Sequence, residues 1–184
     1  MPNLTLPAGF LFGVSSAAYQ VEGAAKEDGK GPSAWDWAPR QPGGTIDNST
    51  GDITGLQYYL YKVDVARMAS LGINAHSFSI SWARIYPFGA ADSPVNQAGL
   101  QHYSDMIDYH LQMGVKPVVT LFHWDTPLAL LAYYGGFTSS HIIDDFVKSV
   151  YLATRFNTDG QTKRILTVLH AAMPRPSLRR TKAE

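Results

Sequence analysis

The 184-residue chain carries fifteen basic and fifteen acidic side chains, and the resulting zero net charge argues against general attraction to nucleic acid or an anionic membrane. It contains no cysteine, which excludes disulfide scaffolds and thiolate metal sites, and no run of about 18 apolar residues that could span a bilayer. Met1–Pro7 lacks the basic start and apolar stretch of a signal peptide, so the expectation is a cytoplasmic location.

Taken in chain order, Phe10-Leu11-Phe12-Gly13-Val14-Ser15 reads as a short buried strand followed by a loop from about Ala17. Lys26 to Gly55 is rich in Gly, Pro, Asp, Ser and Thr and predicts a long irregular excursion. Leu56 to Leu71 places Leu56, Tyr59, Leu60, Val63 and Ala66 at helical spacing, with Gly72 just past the end as a C′ glycine. Ile73 to Trp82 is a second strand whose later part alternates apolar and small polar side chains. Asn96 is placed to cap a helix striped by Leu100, Tyr103, Ile107 and Leu111 and closed by Gly114. Val115 to Phe122 is the third strand, with Pro117 near its start. A third helix carries Ile142, Ile143, Phe146, Val147, Val150 and Tyr151, and Ile165–Leu169 is a candidate fourth strand.

Alternating strands and helices predict an α/β fold with a parallel sheet. A doubly wound sheet and a (β/α) barrel both fit the pattern. Polar and aromatic residues gather at every strand exit: Tyr19-Gln20, Trp82 with Arg84, and His123-Trp124-Asp125. Barrels assemble their sites from the C-terminal ends of several strands, so this distribution favours a barrel.

Ten Tyr and four Trp suit a site where aromatic faces stack on sugar C–H surfaces, although core packing is the ordinary use of any one of them. Gln20 offers two donors and an acceptor, and His123 can donate or accept at either ring nitrogen. Two such neutral groups at one strand-end face can read adjacent hydroxyls of a sugar ring. The plainer alternative has Gln20 capping a turn and His123 as a satisfied core histidine. His123 and Asp125, on one face if the strand continues, are metal-ligand types. With no second histidine nearby in sequence, no metal is expected. Asp28-Gly29-Lys30-Gly31 lacks phosphate-loop spacing and reads as a turn. Glu22 has the chemistry of an acid catalyst, yet beyond a strand end it can equally serve to hold a loop.

Several segments in one order carry a resemblance. They are Gly9–Gly13, Ala18-Tyr19-Gln20-Val21-Glu22-Gly23-Ala24, Asp28–Ser33, Trp35-Asp36, Gly51-Asp52, Leu71-Gly72-Ile73, Phe78–Ile85, Val95–Gly99, Thr120-Leu121-Phe122-His123-Trp124-Asp125-Thr126-Pro127 and Tyr134–Phe137. From about Leu6 to about Val147 the chain resembles the N-terminal portion of family 1 glycoside hydrolases, the β-glucosidases and their relatives. The resemblance implies a partial (β/α)₈ TIM barrel, about the first three to four βα units, from enzymes that hydrolyse β-linked glucosides or galactosides with retention and without metal or cofactor. It also implies that Gln20 and His123 hold hydroxyls of the sugar and that Trp124 lines the same subsite.

The family's chemistry belongs to two glutamates facing each other about 5–5.5 Å apart, one in an Asn-Glu-Pro motif and one in a Glu-Asn-Gly motif. Neither motif occurs among the 184 residues, whose glutamates are Glu22, Glu27 and Glu184; His170-Ala171-Ala172 stands where Asn-Glu-Pro is expected. No catalytic residue is therefore assigned, and the chain by itself is expected to be inactive, with a non-catalytic glycan-binding or regulatory fragment as the alternative. Residues 1–160 hold nine Lys/Arg against fourteen Asp/Glu, whereas 161–184 hold six against one. That reversal suggests a family-like part at 1–147 and a non-family tail at 148–184, as a mis-splice or frameshift would leave. Many members carry Tyr-Arg before the Phe-Ser of the second strand; here those places hold His76 and Ser77. A complete barrel takes about 250 residues, so open strand edges and marginal folding are expected of the chain alone.

Overall fold

A computed structural model describes residues 5–153 and 166–168, with side chains described through Ser149. Four parallel strands run in sequence order: β1 (Gly13–Ser16), β2 (Ala75–Ser79), β3 (Lys116–Thr120) and β4 (Leu166–Val168). Between them lie the short α1 (Ala18–Val21) and α2 (Ala34–Trp37), then α3 (Gln57–Ser70), α4 (Trp82–Ile85), α5 (Gln97–Gln112), α6 (Leu128–Tyr134) and α7 (Ile142–Ala153). Gly13 pairs with Ala75, Ala75 with Lys116, and Val118 with Leu166, so the strand exits lie on one edge of the sheet. This partial parallel sheet with covering helices is the partial barrel that the strand exits favoured, and β4 falls inside the candidate fourth strand.

β1 starts later than the apolar run suggests. The Asn74 side chain accepts from the Phe12 N–H at 2.8 Å and donates to the Phe10 carbonyl at 2.9 Å. A side-chain amide thus satisfies backbone groups that the run from Phe10 was expected to offer to a ladder. The expected stripe on α3 is also rotated. Tyr59, Leu60 and Val63 are exposed, whereas Gln57, Tyr58 and Val65 face inward, and the Gln57 amide reaches the Met106 sulfur. α3 and α5 end as anticipated, with Gly72 and Gly114 at positive φ.

The core gathers Phe78, Ile80, Trp82, Ile85, Tyr103, Met106, Ile107, Val119, Leu121 and Leu130 between the sheet and its helices. Asn96 occupies the N-cap of α5, but its amide donates to the carbonyls of Asp28 and Arg84 instead of capping the helix. It thereby ties the first loop to the second strand exit. Among the described residues, no helix is long and apolar enough to cross a membrane.

Candidate functional site

The C-terminal edge of the sheet carries two polar assemblies of opposite character. At the first, Arg84 on α4 is fully buried and donates from Nε and Nη2 to Glu22 Oε2 at 3.1 and 3.0 Å. The Tyr103 hydroxyl on α5 donates to the other oxygen of Glu22 at 2.6 Å. The Tyr58 ring lies 4.1 Å from the guanidinium carbon, and its hydroxyl donates to Asp28 at 2.6 Å. Four chain segments are locked by one ion pair. Gly23, at φ +61°, follows this glutamate because a Cβ there would collide with the Ile53 carbonyl. Glu22 therefore holds a loop, one of the two roles its position allowed.

The second assembly follows β3. The strand ends at Thr120, so His123, Trp124 and Asp125 lie on a turn and not on a strand, which removes the basis for placing His123 and Asp125 on one face. Trp124 takes a left-handed backbone (φ +68°), a conformation that costs a non-glycine residue roughly 1–2 kcal/mol. Its indole is 48% exposed while Asp125 beside it is 2% exposed, so the turn presents one side chain to solvent and buries the next. His123 is half-buried. Gln20 is exposed on α1, immediately after β1. The structure thus brings Gln20, His123 and Trp124 to the same edge of the sheet from two different strand exits.

The turn is braced from outside. Ser33 and Pro127 form an isolated antiparallel bridge, flanked by Ala34 N–H to the Thr126 carbonyl and Leu128 N–H to the Pro32 carbonyl, each at 2.8 Å. Ser33 and Asp36 close a capping box on α2, and Lys30 Nζ meets Asp36 at 2.6 Å. The local signal for this cap is the spacing Ser33-x-x-Asp36, a hydroxyl followed three positions later by an acid. Neither carboxylate oxygen of Asp125 has a hydrogen-bond partner among the described residues, nor has the Ser81 hydroxyl. Burial, reinforced by Glu22, pushes the Asp125 carboxyl up to about 6, against the opposing pull of Lys30 and the nearby backbone N–H groups.

Away from this edge, Ser16 Oγ, His76 and His110 form a buried chain. Ser16 Oγ lies 3.0 Å from His76 Nε2, His76 Nδ1 lies 2.8 Å from His110 Nε2, and His110 Nδ1 lies 2.7 Å from the Met106 carbonyl. That carbonyl can only accept, so His110 carries its proton on Nδ1, His76 donates from Nδ1, and Ser16 donates to His76. Burial and the neighbouring His110 lower the His76 imidazole to about 4. His76, where the resemblance leads one to expect a tyrosine, is thus an internal support.

Among the described residues, no cluster of three or more His, Cys, Asp or Glu is arranged to hold a metal ion. The family model for glycosyl hydrolase family 1 matches residues 3–173, past the boundary that the residues suggested at 147. The chain is 51% identical over 140 residues to a coniferin β-glucosidase of Pinus contorta, covering 76% of this chain and 27% of that protein. It is 49% identical over 142 residues to an aryl-phospho-β-D-glucosidase of Bacillus subtilis, covering 77% and 29%. A family 1 β-glucosidase of Humicola insolens, solved with glucose, superposes with a TM-score of 0.83 at 40% identity over 89% of this chain and 34% of its own. The chain therefore spans less than a third of the curated relatives it matches.

Proposed function

The chain belongs to glycosyl hydrolase family 1, and from that premise we propose that residues 5–147 are the glycone-reading part of a retaining β-glucosidase. In this reading Gln20 and His123 hydrogen-bond hydroxyls of a β-linked sugar and Trp124 stacks on it. The observation that carries the proposal is the exposed Trp124, held at positive φ on the strand edge that also presents Gln20 and His123. Backbone strain of this kind at a non-glycine residue concentrates at ligand sites.

The 184-residue chain by itself binds the sugar without cleaving it. Of its glutamates, Glu22 is committed to Arg84 and Tyr103, and Glu27 sits on an exposed 3₁₀ turn. In the same reading residues 148–184 are a tail to the family-like 1–147, although the family match itself runs on to residue 173. Glucose titration followed by tryptophan fluorescence tests the binding arm: saturable quenching lost in His123→Ala supports it, and no response in the wild type removes it. Turnover of an aryl β-glucoside by the pure chain would refute the inactivity.

A further inference from the structure

Beside Asp125 lies a small, partly open cavity of about 10 Å³, room for about one water. Tyr19 and Glu22 line it from the first strand exit, Lys30 and Asp36 from the loop around α2, Ser81 from the second strand exit, and Asp125 from the turn itself. The charges here are already matched. Glu22 holds Arg84 and Asp36 holds Lys30, both at ion-pair distance. Asp125 is left as the lining carboxylate without an ion pair of its own, drawn on only by Lys30 from its pair with Asp36 and by nearby backbone N–H groups, and Ser81 as a hydroxyl without a partner among the described residues. A buried carboxylate with no counter-charge is far costlier than a buried neutral acid. The neutral acid also gains a donor, which one water in the cavity can relay to Ser81 Oγ.

We propose that Asp125 is the positioning residue of the sugar-facing turn: as the neutral acid sharing this cavity with Ser81, it anchors Trp124 and His123, and its ionisation loosens them. Asp125 is the buried residue next to the strained Trp124, so whatever draws its carboxyl toward water also releases the backbone that presents the indole. The binding part of this inference rests on the proposed sugar site; the titration part does not.

The test uses the whole 184-residue chain. In a ¹³C-labelled sample the Asp125 carboxyl titrates well above the ordinary carboxylate range, and the Trp124 indole N–H resonance moves with the same midpoint while those of Trp35, Trp37 and Trp82 do not. A His123→Gln background, which has no imidazole on the turn, leaves this step in place. Asp125→Asn, neutral at every pH, holds Trp124 at its low-pH position throughout. Glucose affinity of the wild type weakens several-fold between about pH 5 and about pH 7.5, whereas Asp125→Asn keeps the low-pH affinity across that range. An Asp125 midpoint in the ordinary range, or a Trp124 signal indifferent to it, overturns the proposal. So does an Asp125→Asn variant that displaces Trp124. If that variant fails to fold, the wild-type titration decides. If no glucose binds at any pH, the sugar site falls and the resonance titration still judges Asp125.

Discussion

Two polar groups of residues share one edge of the sheet and differ in how completely they are satisfied. Around Glu22 and Arg84 the carboxylate oxygens and the Nε and Nη2 nitrogens have partners inside the protein, and an aromatic ring covers the guanidinium. Around Trp124 the backbone is left-handed, the indole faces solvent, and the neighbouring carboxylate is unpaired among the described residues. A saturated network is a joint: it fixes the first and second strand exits relative to α3 and α5. An unsaturated one keeps its bonding capacity for something that arrives later. Residue type alone does not separate them, since both are mixtures of carboxylate, cation and aromatic; the count of satisfied atoms does.

The largest expected effect breaks the joint. Arg84→Met strands a buried carboxylate and should cost about 3–5 kcal/mol in urea unfolding. The double variant Glu22→Leu/Arg84→Met should recover most of that loss. A single variant close to wild type would remove the distinction between joint and site.

Next comes acid. The His76 imidazole has a folded value near 4 against an ordinary 6.5, so the unfolded chain binds the proton first. The stability that this neutral, buried ring contributes is complete above about pH 6.5 and is lost as the pH falls toward 4, on the order of 2–3 kcal/mol. Urea midpoints measured across that window should fall in the wild type and fall less in His76→Phe.

Smaller, at about 1 kcal/mol, is the cap that braces the turn: Ser33→Ala removes the side-chain acceptor at α2 and should lower stability by that amount. It should weaken glucose binding only slightly, because the Ser33–Pro127 bridge that supports the sugar-facing segment is made by backbone groups that the substitution keeps. The smallest effect has the opposite sign. Trp124→Gly relieves the left-handed backbone, so stability should hold or rise by up to about 1 kcal/mol while glucose binding disappears. A stability loss there would mean that the indole is core after all.

The sequence made the parallel α/β order and the strand-exit chemistry legible because periodicity and motif residues are local signals. It hid the rotation of α3, since Gln57 faces inward through a contact with Met106 while Tyr59, Leu60 and Val63 face water. It also hid α6, which begins directly after Pro127 in a segment to which no element is assigned from sequence. Gln20, His123 and Trp124 could be nominated from residue type and resemblance. Asp125 stood out only as a strand-exit carboxylate of metal-ligand type, because what distinguishes it is the absence of a spare cation around a cavity lined by three strand exits, and that is a tertiary fact.

The ladder that joins β1 to β2 also sets an order in time. Asn74 must find Phe12 across 62 positions before Gly13 can pair with Ala75, and closing so long a loop comes before any reward from the strand pairing. On a ribosome adding roughly 5–20 residues each second, the first strand waits several seconds for its neighbour. Phe10, Leu11 and Phe12 stay exposed in the finished fold as well, so what the interval leaves open is the backbone edge of β1, a template on which another strand can add.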